Sequence, residues 1–211
     1  ENFGLSLEAR YLEQLGQPAE FPEDGYHGED IISTVKEYIE AEGDKLLTVQ
    51  PDLRRELLTR FALQKKLDAI RTALSHYGVE YDTWFSEQTL HDSGAVKQVV
   101  ADYKAAGLLL EQEDALWIAA DRCGCEKQEV LVRANGIPTY YTADIAYHKN
   151  KFERGFARLI NIWGADHHGH VARLKAAVGA LGYSADKLEV ILMQLVRLFS
   201  GGEIVRMSKR A

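Results

Sequence analysis

Two continuous apolar runs near the C-terminal end constrain the fold of this chain more than any other feature. They are ARLINIWG at 157–164 and LEVILMQLVRL at 188–198, and a segment with helical spacing, 167–183, lies between them. Strands that are apolar along their length and separated by helices are typical of a parallel sheet with helices on both faces. We therefore predict an α/β fold with the order helix, strand, helix, strand from about residue 139.

The sequence before residue 139 is mostly helical, with scattered short strands. Apolar spacing predicts three amphipathic helices, over residues 3–15, around 31–39 with an end near Gly43, and after Pro51. Farther along, the patterns predict a strand at 79–88, a Ser-capped helix ending at Gly107, two strands around an acidic turn within 108–120, and a hairpin at Asn135-Gly136. This section is predicted to be a separate module.

The third predicted helix carries a basic stripe that allows two interpretations. Such a stripe is usually a solvated helix face, and contact with RNA phosphates is the alternative. Its members are Arg54, Arg55, Arg60, Lys65, Lys66 and Arg71.

Charge and cysteine usage exclude several classes of protein. The chain has 211 residues and a net charge of −7, which argues against nonspecific nucleic-acid binding through bulk charge. Its two cysteines, Cys123 and Cys125, are too few for a disulfide framework and too closely spaced for a usual zinc knuckle, so they indicate a reducing, cytoplasmic compartment. No apolar run is long enough to span a bilayer, so we expect no membrane partner.

The motif GADHHGH, residues 164–170, is the strongest candidate for a functional site. It spans the end of a predicted strand and the start of a helix, which is where open α/β sheets bind ligands. Small residues such as Gly164 let a ligand approach the backbone, and Asp166 could accept hydrogen bonds from a ribose. A metal site at His167 and His170 is an alternative, but no second cluster of ligands stands out, and a hydrolase motif G-x-S-x-G is absent.

Two further segments suit charged ligands. In PTYYTADIAYH, Tyr140 and Asp144 are four residues apart and so share one face of a helix, where a carboxylate and an aromatic ring suit a cation. Tyr packing in the core, with Asp capping the helix, is the equally weighted alternative. The basic segment RMSKR, 206–210, follows a Gly-Gly turn and could close over a polyphosphate.

Taken together, these segments resemble the class I aminoacyl-tRNA synthetases, and specifically bacterial-type arginyl-tRNA synthetases. The resemblance is closest over VLVRANGIPTYYTADIAYHKNKFERGFARLINIWGADHHGHVARLKAAVGALGY and QLVRLFSGGEIVRMSKRA, and it extends to ENFGLSLEARYL and YDTWFSEQTLHDSG. It implies arginine, ATP and tRNA(Arg) as partners, with ATP as a substrate accompanied by Mg²⁺ and no tightly bound metal. It also implies a two-step reaction through arginyl-adenylate.

The resemblance implies a role for each site residue. Tyr140, Asp144 and His167 would contact substrate arginine, with Asp144 facing its guanidinium group. The adenosine part of ATP would lie against Gly164, Asp166 and His170. RMSKR would be the KMSKS-type loop, in which Arg206 replaces the first lysine, Met207 and Ser208 contribute to ATP binding, and Lys209 stabilises the phosphates. No role is implied for Cys123, Cys125, His168 or YHGED.

The resemblance further implies that the chain is a fragment. Its start has no initiator methionine, and neither the HIGH-type motif nor the helical anticodon-binding domain is present. The implied organisation is a linking helix at 1–24, a connective insertion at 25–134, and the second half of a Rossmann-type catalytic domain at 135–211. We expect the fragment alone to be inactive, because half of the ATP pocket would be absent. The alternative is a noncatalytic nucleotide- or RNA-binding module with the same fold.

Overall fold

The computed structural model describes residues 2–125 and 127–205, which form two compact units. One unit contains the described residues up to Thr83 together with those from Leu198 onward, and the other is Trp84–Arg197. The division at residues 24 and 134 that the sequence suggested follows a resemblance rather than compactness, and it stays a prediction.

Three helices build most of the first unit, and all three were predicted. They are α1 (Asn2–Gln14), α2 (Glu29–Glu42) and α3 (Pro51–His76). Gly43 ends α2 with φ of 71°, a left-handed conformation that glycine adopts without steric cost, and its N–H donates to the carbonyl of Ile39 at 2.8 Å. The three helices enclose a core of Leu7, Tyr11, Ile31, Val35, Tyr38, Leu46, Leu58 and Ala62.

The basic residues of α3 all form ion pairs within this unit. Arg54 is buried and lies 3.3 Å from Glu8, and it also donates to the carbonyl oxygens of Leu46 and Val49 at 2.9 Å each. The other pairs are Arg55 with Glu8 and Asp52, Arg60 with Glu56, Lys65 with Glu37, Lys66 with Asp30, and Arg71 with Asp68. These pairs support the structural interpretation of the stripe over contact with RNA.

The second unit begins with short helices and a small antiparallel sheet in the order β1-β2-β3. The acidic turn between the first two strands is confirmed, and Glu113 and Asp114 take φ values of 52° and 59° there. The elements are α4 (Gln88–Asp92), α5 (Ala95–Ala105), β1 (Leu109–Gln112), β2 (Ala115–Ile118), α6 (Ala120–Cys123) and β3 (Val130–Val132).

Two local predictions in this region are wrong. Residues 79–87 form no strand, because residues 79–84 are all exposed and only Phe85 packs against a core. The predicted serine cap is also absent. Gly94 precedes α5 in the left-handed conformation, and the Ser93 hydroxyl donates instead to the carbonyl of Leu90 at 3.4 Å.

The hairpin predicted at Asn135-Gly136 is only partly formed. The turn itself is present, since the N–H of Gly136 donates to the carbonyl of Arg133 at 2.8 Å and Gly136 has φ of 77°. The return strand, however, is reduced to a single bridge between Val132 and Pro138. The N–H of Arg133 donates to the carbonyl of Ile137 at 3.0 Å and that of Thr139 to the carbonyl of Leu131 at 2.8 Å on either side of this bridge. Pairing ends there because α7 begins at the next residue, Tyr140.

The helix–strand–helix–strand order predicted after residue 139 is confirmed. It consists of α7 (Tyr140–Glu153), β4 (Leu159–Gly164), α8 (His168–Ala180) and β5 (Leu188–Met193). The strands β4 and β5 are adjacent and parallel, with a register that runs from Leu159 opposite Leu188 to Gly164 opposite Met193. Their carboxyl ends therefore lie at the same edge of the sheet, and the chain leaves β4 at that edge to enter α8.

The prediction that this sheet is covered on both faces is wrong for the described residues. One face packs into the core with Leu159, Asn161 and Leu188, against residues of α7 and α8. The opposite face is exposed, and Ile160, Ile162, Ile191 and Met193 lie on it, with Ile162 69% exposed. The apolar runs do alternate in burial, but the outward residues are as apolar as the inward ones, so the sequence alone could not separate the two faces.

The last described segment is a hairpin, as predicted from the SGGE sequence. It pairs β6 (Leu198–Ser200) with β7 (Glu203–Val205), and Gly201 and Gly202 form its turn with φ values of 61° and 85°. The segment RMSKR, with Arg206, Met207, Ser208 and Lys209, lies outside the described residues.

Candidate functional site

A cavity of about 800 Å³ lies at the carboxyl end of β4, between the first turns of α7 and α8. Among the described residues that line it, four are carboxylates and two are lysine or arginine, so acidic groups predominate in that part of its walls. The lining residues are Glu87, Lys127, Glu129, Tyr140, Asp144, Trp163, Asp166, His167, Gly169, His170 and Arg173. An excess of carboxylates in a partly desolvated cavity favours a cationic ligand.

Asp144 is the most enclosed of the carboxylates predicted to bind substrate, with 27% of its side chain exposed. Its Oδ2 atom lies 2.7 Å from Nε2 of His170. Its Oδ1 atom lies 3.3 Å from Nδ1 of His148, and that nitrogen also lies 2.8 Å from the Asp144 carbonyl oxygen. Two histidines from different helices therefore hold the carboxylate from the protein side.

The hydrogen bonds to Asp144 determine its charge. Burial by itself would raise the pKa of this carboxyl group, but the hydrogen bonds from His148 and His170 outweigh burial, and the net effect lowers the pKa. Asp144 is consequently an anion at neutral pH, although most of its surface is removed from water.

Arg173 lies behind His170 and completes one side of the site. Its NH2 group lies 3.2 Å from Nδ1 of His170, its NH1 group donates to Glu129 at 2.5 Å, and its Nε donates to the Gly169 carbonyl at 3.1 Å. The hydroxyl of Tyr141 donates to the Arg173 carbonyl at 3.0 Å and ties α7 to α8 at this level. The Arg173 guanidinium is thus fixed by three acceptors.

A second group of polar residues lies behind His148, away from the cavity. His148 is 1% exposed, and its Nε2 atom lies 2.6 Å from the side-chain amide nitrogen of Asn161 on β4. The amide oxygen of Asn161 accepts a hydrogen bond from Lys151 at 3.0 Å, and the Lys151 ammonium also lies 4.1 Å from the Tyr147 ring. Burial lowers the pKa of Lys151, while nearby Asp144 opposes that shift.

The open side of the cavity is formed by more exposed residues. Tyr140 is 77% exposed at the first position of α7, and His167 and Asp166 are exposed in the turn before α8. Trp163 supplies an aromatic wall, with its ring centroid 5.4 Å from His170 and 6.1 Å from His167. This side leaves room for a ligand to approach Asp144 from solvent.

Gly164 is constrained by close approach of the Asp166 side chain. A Cβ atom at residue 164 would lie 2.4 Å from Oδ1 of Asp166, so any larger residue would displace that carboxylate. The glycine therefore keeps Asp166 folded back over the end of β4, at the edge where ligands bind in parallel sheets.

Comparison with known proteins identifies the family. The family model described as "tRNA synthetases class I (R), catalytic domain" matches residues 33–203. The chain belongs to this family. Over 210 residues it is 67% identical to an arginine–tRNA ligase of Moorella thermoacetica and 64% identical to one of Heliobacterium modesticaldum. The alignments include the whole of this chain but only 38% and 37% of the length of these two relatives.

Solved structures agree with this assignment. A structure from Campylobacter jejuni that is described as an arginyl-tRNA synthetase aligns with a TM-score of 0.82 and 36% identity. The alignment covers 97% of this chain and 44% of the Campylobacter jejuni chain. Thermus thermophilus arginyl-tRNA synthetase matches 90% of this chain and 39% of its own, with a TM-score of 0.61 and 18% identity, which supports the fold alone. The predicted α/β fold class and the family resemblance are confirmed.

Five of the residues that the synthetase resemblance selected line the same cavity. They are Tyr140, Asp144, Asp166, His167 and His170. Their ligand roles stay predictions, as do those of Gly164 and the four residues outside the described part of the chain. Both ring nitrogens of His170 bond to protein groups, so it could reach ATP directly only through its ring or after one of these bonds breaks.

Sequence reasoning missed several members of this candidate site. Glu87, Lys127, Glu129 and Arg173 line the cavity, and His148, Asn161 and Lys151 lie behind Asp144. One signal was available, because His148 lies four residues after Asp144 on the same helical face. The others come from separate elements, and no local spacing connects them.

The described residues contain little that favours the competing interpretations. Burial raises the pKa of the Cys123 thiol to about 11 and also raises that of Cys125, so neither is an activated nucleophile. Within residues 2–125 and 127–205, no three His, Cys, Asp or Glu side chains are grouped as a metal site requires. No helix in that part of the chain is long and apolar enough to cross a membrane.

Proposed function

We propose that this chain is part of a longer protein that joins arginine to tRNA(Arg). In the first step arginine and ATP form arginyl-adenylate and pyrophosphate, and in the second the arginyl group passes to the tRNA. The names of the relatives support this reaction, and the chain spans less than two fifths of their length. The observation that carries the proposal is Asp144, a largely buried carboxylate held as an anion at an acidic cavity.

Asp144 would bind the guanidinium group of arginine. The two histidines take one side of the carboxylate, so acceptor positions remain on its cavity side for the paired N–H groups of a guanidinium. Tyr140 would add a hydroxyl or a ring face, and His167 would form part of the wall beside the substrate. These roles give the cavity a preference for a planar cation over a neutral ligand.

ATP, as its magnesium complex, would bind along the end of β4. Gly164 leaves room for the Asp166 carboxylate at the end of β4, where Asp166 would accept hydrogen bonds from the ribose, and His170 would lie near the adenosine. The loop 206–210 would contribute Arg206, Met207, Ser208 and above all Lys209, whose ammonium group would stabilise charge that develops on the phosphates. We place the enzyme in the cytoplasm, since its tRNA substrate is there.

Arginine-dependent exchange of pyrophosphate into ATP tests the proposal in the full-length protein. We expect exchange with arginine and not with lysine, because a planar, paired donor fits Asp144 and a point charge does not. The 211-residue chain, assayed alone, is expected to be inactive. A full-length protein that binds ATP or RNA but neither binds nor activates arginine would contradict the proposal and favour the noncatalytic module. Exchange by the 211-residue chain alone would contradict its expected inactivity.

A further inference from the structure

The hydrogen bonds behind His148 can run in only one direction. Lysine is a donor without an acceptor, so the atom of Asn161 that faces Lys151 at 3.0 Å is the amide oxygen. The amide nitrogen of Asn161 then faces His148 and must donate to its Nε2 atom. Nε2 is therefore unprotonated, and the ring proton lies on Nδ1, which donates to the backbone carbonyl of Asp144 at 2.8 Å and lies 3.3 Å from its carboxylate Oδ1.

The same argument assigns the ring proton of His170, but to Nε2 rather than to Nδ1. The guanidinium of Arg173 only donates, so Nδ1 of His170 must accept at 3.2 Å. The ring proton then lies on Nε2 and is donated to Oδ2 of Asp144 at 2.7 Å. Glu129 fixes Arg173 from its other side at 2.5 Å, which holds the guanidinium in place for this contact.

From this geometry we propose that His148, Asn161 and Lys151 are positioning residues for guanidinium recognition, acting with His170 and Arg173 as two converging hydrogen-bond chains. Each chain begins at a cation and ends with a neutral imidazole that donates to Asp144. The residues of the first chain do not line the cavity, so they act on a ligand only through the carboxylate.

The use of neutral donors explains why the chains suit a cation site. A lysine or arginine in direct contact with Asp144 would hold the carboxylate equally well but would cancel its charge toward the cavity. His170 orients one carboxylate oxygen directly, whereas His148 holds the Asp144 backbone and lies beside the other oxygen, and the negative charge is left for a ligand. Arg173 is separated from Asp144 by His170, and Lys151 is separated from it by Asn161 and His148. From these positions the two cations determine which ring nitrogen of each histidine carries the proton.

This inference rests on the proposed arginine site, and amide substitutions in the full-length protein test it. An asparagine side chain places its N–H where Nδ1 lies, whereas a glutamine places its N–H where Nε2 lies. His148→Asn should therefore bind arginine much better than His148→Gln, which we expect to bind about 10-fold more weakly than the wild type. At residue 170 the order should reverse, with His170→Gln better than His170→Asn.

The measurement is the dissociation constant for arginine by calorimetry, with melting temperatures recorded for each variant. A purely structural role would rank the amides by packing and would not reverse their order between the two positions. The same amide preferred at both positions, or equal affinities for both amides at each position, would overturn the inference.

A second pair of variants avoids the buried ring, in case substitutions of His148 do not fold. Lys151→Arg keeps a donor-only cation against Asn161, whereas Lys151→Met keeps the aliphatic stem and removes the donor. The amide of Asn161 is then free to rotate, and we expect arginine to bind several-fold more weakly to Lys151→Met than to Lys151→Arg. Equal affinities in the two variants would overturn the inference.

The two proposals fail in different ways. If the wild-type protein does not bind arginine, the proposed function is wrong. If the wild type binds arginine and Asp144→Asn abolishes binding, but neither pair of variants changes affinity, only the two hydrogen-bond chains are wrong.

Discussion

Two carboxylates that are mostly enclosed, one in each compact unit, are held in different ways. Glu8 on α1 lies 3.3 Å from Arg54 and 3.0 Å from Arg55, two side chains that keep their positive charge at any ordinary pH. Asp144 on α7 is held by His148 and His170, whose second ring nitrogens face the amide of Asn161 and the guanidinium of Arg173.

The difference separates a structural carboxylate from one that is available to a ligand. The charge of Glu8 is neutralised where it lies, and Arg54 is further bound to two backbone carbonyls, so the group stabilises the packing of α1 on α3. The partners of Asp144 are two histidines rather than arginines, and its free side faces a cavity. Burial alone would not have distinguished the two residues, because both are mostly enclosed.

The largest expected effect is on arginine binding by Asp144→Asn. The amide removes the charge that pairs with the guanidinium, so affinity in the full-length protein should fall about 100-fold by calorimetry. Asp102→Asn is the matched control. The Asp102 side chain is 29% exposed and its pKa is also lowered, but its partner is the cation Lys149. It should leave arginine affinity unchanged. An equal loss in both variants would contradict the comparison.

Glu8→Gln should have the opposite profile. It leaves Arg54 and Arg55 without their shared anion in a largely buried position, so the unfolding free energy of the 211-residue chain should fall by about 2 kcal/mol. Arginine affinity in the full-length protein should not change. Chemical denaturation measures the first effect, and a loss of arginine affinity with unchanged stability would invert the roles assigned here.

A smaller effect is expected in acid. The folded state lowers the pKa of Asp144 below its usual value of 3.8, so its contribution to stability is complete above about pH 4 and is lost as pH falls through the folded-state pKa. Asp144→Asn lacks this contribution. Its unfolding free energy should therefore decline less steeply than that of the wild type as pH falls from about 5 to about 3. Identical slopes would show that Asp144 gains nothing from its two histidines.

The smallest effect is expected from an exposed ion pair on the same helix as Arg54. The side chains of Glu56 and Arg60 lie 2.6 Å apart and are 60% and 72% exposed, so water screens their charges. Glu56→Gln should change the unfolding free energy by less than about 0.5 kcal/mol. A change as large as that of Glu8→Gln would mean that charge number, rather than burial, determines stability in this unit.

Much of the fold could be predicted because its signals are local. Helix ends at Gly43 and Gly107 follow from glycine's access to positive φ, and the parallel pair follows from two apolar runs that flank a helix. The predictions that are wrong depend on tertiary contacts. The segment at 79–87 lacks a partner strand, and the exposed face of β4 carries isoleucine like the buried face of a strand.

The candidate site was predicted only in part. Tyr140, Asp144 and His167 line the cavity, and their ligand roles stay predictions. Four other lining residues were missed because they come from separate elements. The chains behind Asp144 depend instead on which ring nitrogen carries a proton, and that is decided by Lys151 and Arg173 through contacts between α7, β4 and α8. A sequence pattern gives residue types and spacing but not the direction of a hydrogen bond.

The central claim, that the charge of Asp144 recognises a guanidinium group, is tested most directly by one ratio. It is the affinity for arginine divided by that for citrulline, which has a similar shape but no charge, measured in the full-length wild type and in Asp144→Asn. The account predicts a strong preference for arginine in the wild type and a ratio near one in the variant. A ratio that is the same in both proteins would contradict it.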